Sequence, residues 1–343
     1  MKKHLNTLFV TTQGAYLAAE GETVVVKVER EVKLRLPLHL IEAIICFGRV
    51  SLSPFLMGRC GERGIGISFL TERGRFLARV QGPVSGNVLL RRTQYRNADD
   101  EDFSAEIAAS IVTAKAANAR AVLQRAVRDH PEAKGVEGTK AAVRTLARTI
   151  NDLEGPVPLN VVRGIEGDAA RVYFEVFDHL IIDRDNGFRF ERRSRRPPLN
   201  AVNALLSFFY TLLAHDAASA LEAVGLDPQV GFLHRDRPGR AGLALDLMEE
   251  FRPYLADRLV LSLINRGQVR AKGFETTDTG GVWMNDETRK TVLVAYQERK
   301  QEEIRHPFLG EKTTVGMLVH LQALLLARFL RGDIDGYPPF FWK

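Results

Sequence analysis

The sequence predicts an α+β chain: a small N-terminal β-sandwich-like domain followed by a larger all-α helical domain. Three observations carry this. Early in the chain, over 24–36, apolar residues recur at period two. From 87 onward Ala, Leu, Glu and Arg dominate, and the apolar spacing becomes three or four. Between the two regimes lies Gly82-Pro83-Val84-Ser85-Gly86, whose proline and glycines break regular structure. A length of 343 residues fits two domains of ~150 residues each. The break sets their bounds at 1–82 for the β domain and 83–343 for the helical one.

The elements follow in order. Short β-rich runs occupy 7–10 and 15–18. Val24, Val26 and Val28 then alternate with Val25, Lys27 and Glu29. Val32, Leu34 and Leu36 alternate with Lys33, Arg35 and Pro37, and Pro37 ends the run. The stretch 39–45 reads as a short helix between strands, and 48–53 and 65–70 as further β runs. Gly14, Gly21, Gly61, Gly64 and Gly74 mark turns. Helices are expected over 105–126, 140–150, 164–178, 199–224, 243–251 and 315–330. There is no internal repeat and no low-complexity tail.

Composition narrows the function classes. With 45% hydrophobic and 26% charged residues the chain is a globular protein, not a disordered segment, a collagen or a membrane channel. A net charge of +6 permits an acidic partner such as nucleic acid, so the arrangement of the charge must decide. Cys46 and Cys60 are too few for a disulfide scaffold and fit a reducing compartment. The start, Met1-Lys2-Lys3-His4-Leu5-Asn6-Thr7, lacks the apolar core of a secretory signal. No stretch approaches ~18 uninterrupted apolar residues. A cytoplasmic, soluble protein is expected.

Several segments carry chemistry. In Val162-Arg163-Gly164-Ile165-Glu166-Gly167-Asp168-Ala169-Ala170-Arg171, Glu166 sits in an expected first helical turn among glycines and alanines. The plain reading is a capping carboxylate favoured by the helix dipole. The other is a metal-binding carboxylate whose small neighbours admit a bulky substrate. His234 follows an apolar run and precedes a basic loop with Arg235, Arg237 and Arg240, which suits a phosphate-bearing substrate. Asp246 and Glu249 are three apart and share a helix face. A solvated acidic face is the alternative, but Asp246 lies in a strongly apolar run, and a buried carboxylate needs a partner. Two carboxylates and an imidazole make an oxygen-rich site for Mg²⁺ or Mn²⁺. Zinc fits less well, because neither cysteine has a partner at finger-like spacing. A hard cation beside basic residues serves phosphodiester chemistry.

The basic patch is denser. Arg189, Arg192, Arg193, Arg195 and Arg196 crowd one segment, opposed only by Glu191. Pro197 and Pro198 then lead into a helix with Asn203, Ser207 and Tyr210 on one face. Its apolar face is Leu199, Val202, Leu206, Phe209 and Leu213. An Arg cluster beside such a face suits a nucleic-acid backbone; a solvated Arg-rich loop is the alternative.

Taken together these segments resemble the CRISPR-associated protein one family, the integrase and endonuclease of spacer acquisition. The resemblance runs nearly the whole chain. It includes Leu8-Phe9-Val10-Thr11-Thr12-Gln13-Gly14-Ala15-Tyr16-Leu17, Cys46-Phe47-Gly48-Arg49-Val50-Ser51 and Gly82-Pro83-Val84-Ser85-Gly86-Asn87. The central pieces are Gly164-Ile165-Glu166-Gly167, Arg196-Pro197-Pro198-Leu199-Asn200, Phe232-Leu233-His234 and Leu245-Asp246-Leu247-Met248-Glu249. Gly280-Gly281-Val282-Trp283-Met284-Asn285-Asp286 and Tyr337-Pro338-Pro339-Phe340 look like the subtype I-C branch.

The resemblance implies a β domain before an α-helical domain. It implies metal ligands, which double as catalytic residues, at Glu166, His234 and Glu249, with Asp246 a second acidic position near the metal. Glu249 stands where some branches carry Asp, so its ligation geometry is open. Tyr210 matches an aromatic near the scissile DNA, and Asn203 a polar position on the same helix. Arg189, Arg192, Arg193, Arg195, Arg196, Arg235 and Arg237 would hold DNA backbone. The implied reaction is metal-dependent transesterification, in which a prespacer 3′-hydroxyl attacks a phosphodiester at a CRISPR repeat end. Implied partners are double-stranded DNA, a second copy of the chain, a small CRISPR-associated adaptation protein and a RecB-like trimming nuclease. Two other functions stay open from the residues: a metal-dependent nuclease acting on branched DNA in repair, and a non-catalytic nucleic-acid scaffold.

Overall fold

The computed structural model describes residues 7–72, 74, 76–80, 82, 88–182 and 187–342. The chain forms two compact units, 1–86 with 292–302, and 87–291 with 303–343. Of the expected break at 82–86, all but Gly82 lies outside the described residues.

The first unit contains β1 (Thr7–Val10), β2 (Tyr16–Glu20), β3 (Thr23–Val28), β4 (Glu31–Pro37), β5 (Ala43–Phe47), β6 (Ser51–Leu52), α1 (Pro54–Glu62), β7 (Gly66–Leu70) and β8 (Phe76–Val80). They make two four-stranded sheets, β1-β5-β7-β8 and β4-β3-β2-β6. The first is parallel except for the antiparallel β7–β8 pair. The second is antiparallel except for the short parallel β2–β6 pair. Leu17, Val24 and Val26 from one sheet join Val10, Ile44, Cys46 and Ile67 from the other, with Leu56 and Cys60 of α1, in one apolar cluster.

Two local expectations change here. The short helix expected over 39–45 is one 3₁₀ turn, Leu38–Leu40, followed by strand β5. Ile44, Ile45, Cys46 and Phe47 are all buried. A strand covered on both faces reads as an unbroken apolar run, so period two is absent where it would have marked the strand. Helix α1 interrupts the β region. Ser53 caps it, its Oγ accepting from the Leu56 amide at 3.2 Å, and Pro54 takes the first position. On β4 the alternation is present: Leu36 and Leu34 pair with Val24 and Val26 and share their core face, but at the edge of the sheet Val32 and Leu34 remain 43% and 41% exposed.

The second unit contains α2 (Val88–Asp99), α3 (Glu101–Asp129), α4 (Val136–Asn151), α5 (Leu159–Glu175), α6 (Ala201–Ala223), α7 (Gly242–Glu249) and α8 (Arg258–Asn265). The hairpin β9 (Phe274–Thr276) and β10 (Val282–Met284) precedes α9 (Asp286–Gln301), whose residues from Val292 on group with the first unit. The hairpin β11 (Glu303–Arg305) and β12 (Lys312–Thr314) precedes α10 (Val315–Leu330). The helical domain thus carries two small hairpins within it. Helix α3 packs against α4, α5 and α7, and against a π-helical turn, Arg252–Asp257, that links α7 to α8. Helix α6 packs against α7, α8, α10, β10 and the same turn.

Helix α6 is long and apolar enough to cross a membrane by length and composition, with mean hydropathy 1.3 over 18 residues. That is closer to a spanning segment than the sequence reading allowed. Its burial, 61% of that window, makes it the core helix of this unit. Helix α5 starts at Leu159, behind Pro158, five residues ahead of the expected start. Glu166 therefore lies inside the helix and not in its first turn, which removes the capping reading. Gly164 and Gly167 sit within α5, whose start lies at Leu159 behind Pro158.

Candidate active site

Four elements converge on a cavity of about 310 Å³. Helix α5 supplies Arg163 and Glu166, the 231–240 loop supplies His234, Arg235, Arg237 and Arg240, and α7 with the following π turn supplies Glu249 and Arg252. Arg195 comes from the arginine-rich segment. Six arginines against two glutamates make the lining strongly basic, which suits a polyanion.

The two glutamates meet through a residue the sequence reading did not select. Lys115 of α3 is buried, and its ammonium pairs with Glu166 Oε1 and lies 2.7 Å from Glu249 Oε2. Arg252 Nη1 holds the other oxygen, Glu249 Oε1, at 2.7 Å. Burial alone would push the Glu249 carboxyl up, but Arg252, Lys115 and His234 outweigh it and hold it at about 2. Glu249 Oε2 is buried with no aligned hydrogen bond. The carboxylates of α5 and α7 are thus placed to share one cation.

Asp246 is not among the residues that line the cavity and organises the loop of His234. It is fully buried; Oδ2 accepts from the amides of Phe232 at 2.6 Å and Leu233 at 3.0 Å. Oδ1 accepts from the His234 amide at 3.0 Å and from His234 Nδ1 at 2.6 Å. A carboxylate accepting at Nδ1 fixes the tautomer and leaves the other ring nitrogen as the lone-pair donor. Glycine is needed for this approach. A Cβ on Gly231 would lie 2.6 Å from Asp246 Oδ2, and one on Gly242 would lie 2.7 Å from the Gln229 carbonyl. Arg163 Nε donates to the Leu233 carbonyl at 2.7 Å, tying α5 to the same loop.

The face of α6 takes a different role from the one expected. Asn203 is fully buried, and its side chain accepts from Arg193 Nη1 at 2.7 Å and the Ser194 amide at 3.0 Å while donating to the Arg192 carbonyl at 2.8 Å. Arg193 also donates to Ser207 Oγ at 3.1 Å, and its guanidinium lies 5.3 Å from the centre of the Tyr210 ring. Burial lowers the Arg193 guanidinium to about 10. Of the arginine cluster, Arg193 therefore points inward and clasps α6, whereas Arg189, Arg192, Arg195 and Arg196 are exposed, as are Arg235 and Arg237. Tyr210 donates to Asp257 Oδ1 at 2.6 Å, with Arg252 4.7 Å over its ring. Burial raises the Asp257 carboxyl to about 6, against the pull of Tyr210 and Arg252.

The sequence reading thus named both carboxylates and the histidine, and missed Lys115, Arg163 and Arg252. One signal was available for Lys115: it is a single cation in the apolar run Ile111-Val112-Thr113-Ala114-Lys115-Ala116. The residues present fit a divalent cation, since two carboxylates share one point and an imidazole with a fixed tautomer lines the same cavity. As the side chains stand, with Lys115 between the carboxylates, no cluster of three or more His, Cys, Asp or Glu closes among the described residues.

Comparison with known proteins gives a consistent picture. The sequence profile described as CRISPR associated protein Cas1 matches residues 8–298. The chain is 60% identical over 343 residues, the whole of both chains, to CRISPR-associated endonuclease Cas1 1 of Chlorobaculum tepidum. It is 53% identical over 348 residues, again the whole of both, to CRISPR-associated endonuclease Cas1 2 of Rhodospirillum rubrum. A CRISPR-associated exonuclease Cas4/endonuclease Cas1 fusion of Rhodospirillum rubrum is 36% identical over 97% of this chain and 57% of its own. Among solved structures, a CAS1 protein from Thermotoga maritima matches with a TM-score of 0.82 at 25% identity, over 98% of this chain and all of that one. A casposase bound to integration product matches at 0.84 and 22% identity, over 99% and 95%. At that identity the casposase likeness shows the fold alone.

Proposed function

The chain belongs to the CRISPR associated protein Cas1 family, and on that footing we propose that its basic cavity is the active site of a DNA endonuclease and integrase of CRISPR adaptation. The observation that carries the site is the convergence of Glu166 and Glu249, from separate helices, on one cation position inside an arginine-lined cavity. The reaction is transesterification: a prespacer 3′-hydroxyl attacks a repeat phosphodiester, one P–O bond forms and one breaks, and the displaced strand leaves with the 3′-oxygen. The resemblance of the tail segments, 280–286 and 337–340, supports a reading of the chain as one of the subtype I-C branch.

Glu166, Glu249 and the His234 nitrogen opposite Nδ1 would hold Mg²⁺ or Mn²⁺. When bound, the cation supplies activation of an oxygen nucleophile and charge neutralisation at the phosphate. The chain's own residues do the rest. Asp246 holds His234 in one tautomer and orientation. Arg252 fixes the rotamer of Glu249. Arg163, Arg235, Arg237 and Arg240 clamp strand phosphates around the reacting one, which supplies positioning more than sequence readout. Exposed Arg189, Arg192, Arg195 and Arg196 extend that backbone track. Arg193, Asn203 and Tyr210 support it from behind.

A second copy of the chain and a small CRISPR-associated adaptation protein complete the machine. The exposed Val32 and Leu34 on edge strand β4, and Phe76 and Leu77 on edge strand β8, are apolar residues that a protein partner would cover. The fusion seen in a relative supports a trimming exonuclease as a further partner. Buried Cys46 and Cys60, with burial raising their thiols to about 12 and about 11, fit the cytoplasm. The test is strand transfer of a short duplex with free 3′-hydroxyls into a supercoiled plasmid carrying leader and repeat, with the small partner and Mn²⁺ or EDTA. Metal-dependent joining at the repeat ends, lost in Glu166→Ala, is expected. Cutting without joining would favour the repair nuclease, and full activity in Glu166→Ala would refute the site.

A further inference from the structure

We propose that Lys115 is a positioning residue that preassembles Glu166 and Glu249 around its own ammonium, and that a divalent cation must displace that ammonium to bind. The proposal rests on the reading of Glu166, His234 and Glu249 as metal ligands.

The geometry has three parts. Lys115 is 8% exposed on α3, between buried Ala114 and Ala116, so its ammonium has little water and must be paired with anions. Its partners are Glu166 and Glu249, one from each of two other helices. Glu249 is anchored from behind, because Arg252 holds Oε1 and leaves Oε2 directed at the Lys115 ammonium.

Elementary electrostatics then sets the behaviour. An ammonium offers three N–H donors and no lone pair, so it cannot be a metal ligand. A divalent cation seated between Glu166 and Glu249 would face a like charge at contact distance, which is strongly repulsive in a partly buried site. The ammonium sits on a flexible four-carbon stem and can withdraw while the carboxylates stay. Lys115 thus keeps two carboxylates together that would otherwise repel each other, and lowers metal affinity in doing so. A lysine that only stabilised the fold would have the opposite effect when removed, since a loosened site binds metal less well.

The test is Mn²⁺ binding by isothermal titration to the full-length wild type, Lys115→Met and Lys115→Arg, with thermal melts in EDTA and in Mn²⁺. Lys115→Met should bind Mn²⁺ about tenfold tighter or more, because a unit charge leaves the site. Lys115→Arg, which keeps the charge, should stay within about threefold of wild type. In EDTA, Lys115→Met should melt below wild type, and Mn²⁺ should raise its melting temperature by more than it raises that of wild type. If Lys115→Met does not fold, Lys115→Gln takes its place. Equal or weaker Mn²⁺ binding by a folded Lys115 variant, with wild type still binding, overturns the proposal and leaves the metal reading standing. No binding to any of the proteins overturns the metal reading, and the proposal with it.

Discussion

Asp246→Asn is the sharpest probe of the site, because Asp246 does not itself line the cavity yet holds His234, which does. Its two oxygens accept four hydrogen bonds, from the amides of Phe232, Leu233 and His234 and from His234 Nδ1. Asparagine keeps the shape and replaces one acceptor by an NH₂ group. Whichever way the amide turns, two donors of the loop then face a donor. Hydrogen bonds to a charged acceptor contribute ~1.5–3 kcal/mol each, so losing two costs up to ~6 kcal/mol before the loop relaxes. With relaxation ~3 kcal/mol is expected, which in a unit of this size lowers Tm by roughly 6–12 °C. The second effect is chemical. In either orientation Nδ1–H loses its charged acceptor, and with the NH₂ turned toward the ring the amide favours the other tautomer, so strand transfer should fall ~10–100-fold when assayed well below the melting temperature. Calorimetry gives the first number, the plasmid joining assay the second, and ¹⁵N chemical shifts of the His234 ring report the tautomer directly. A variant that melts within ~2 °C of wild type and joins DNA at the wild-type rate would refute the reasoning. Lost stability with an unchanged tautomer and rate would reduce Asp246 to a loop clasp.

Two further outcomes are expected. Gly164 and Gly167 flank Glu166 on α5, and a Cβ at either would meet nothing within 4 Å. Gly164→Ala and Gly167→Ala should each raise stability by up to ~1 kcal/mol through helix propensity. If strand transfer falls as stability rises, the bare face is where DNA lies; unchanged joining would show that the substrate does not approach there. The other concerns pH. The Asp257 carboxyl is raised by burial from 3.8 to about 6. A raised folded value means its stabilising contribution is complete below about 3.8 and is lost as pH rises through about 6. Wild type should therefore lose about 1 kcal/mol between pH 5 and pH 7.5 relative to Asp257→Asn, which still accepts from Tyr210. Urea titrations of both proteins across that range check it, and parallel curves would refute the buried-carboxylate account.

How much of this was legible in the chain is clearest residue by residue. The apolar face of α6 and the three-residue spacing of Asp246 and Glu249 follow from periodicity, because each concerns one helix and its own faces. Glu166 and His234 were legible as residue types in unusual settings. The role of Asn203 was not. Its spacing placed it on a polar face with Ser207 and Tyr210, but that face is covered by the 192–194 segment, so it clasps a loop. Strand β5 was misread for the related reason that full burial erases alternation.

The sequence by itself determined the succession of a β-rich region and a helical one, the excess of arginine, and the acidic and imidazole groups available for phosphodiester chemistry. Those are properties of composition and of periods two and 3.6, which each segment carries alone. Tertiary structure decided which charges meet. Lys115 and Glu166 lie 51 residues apart and join only because α3 packs on α5. Other contacts bring Asp246 of α7 to the His234 loop and Arg193 to α6. Whether a charged side chain faces solvent, a loop or another charge depends on what covers its helix face, and that is set by the packing of whole helices.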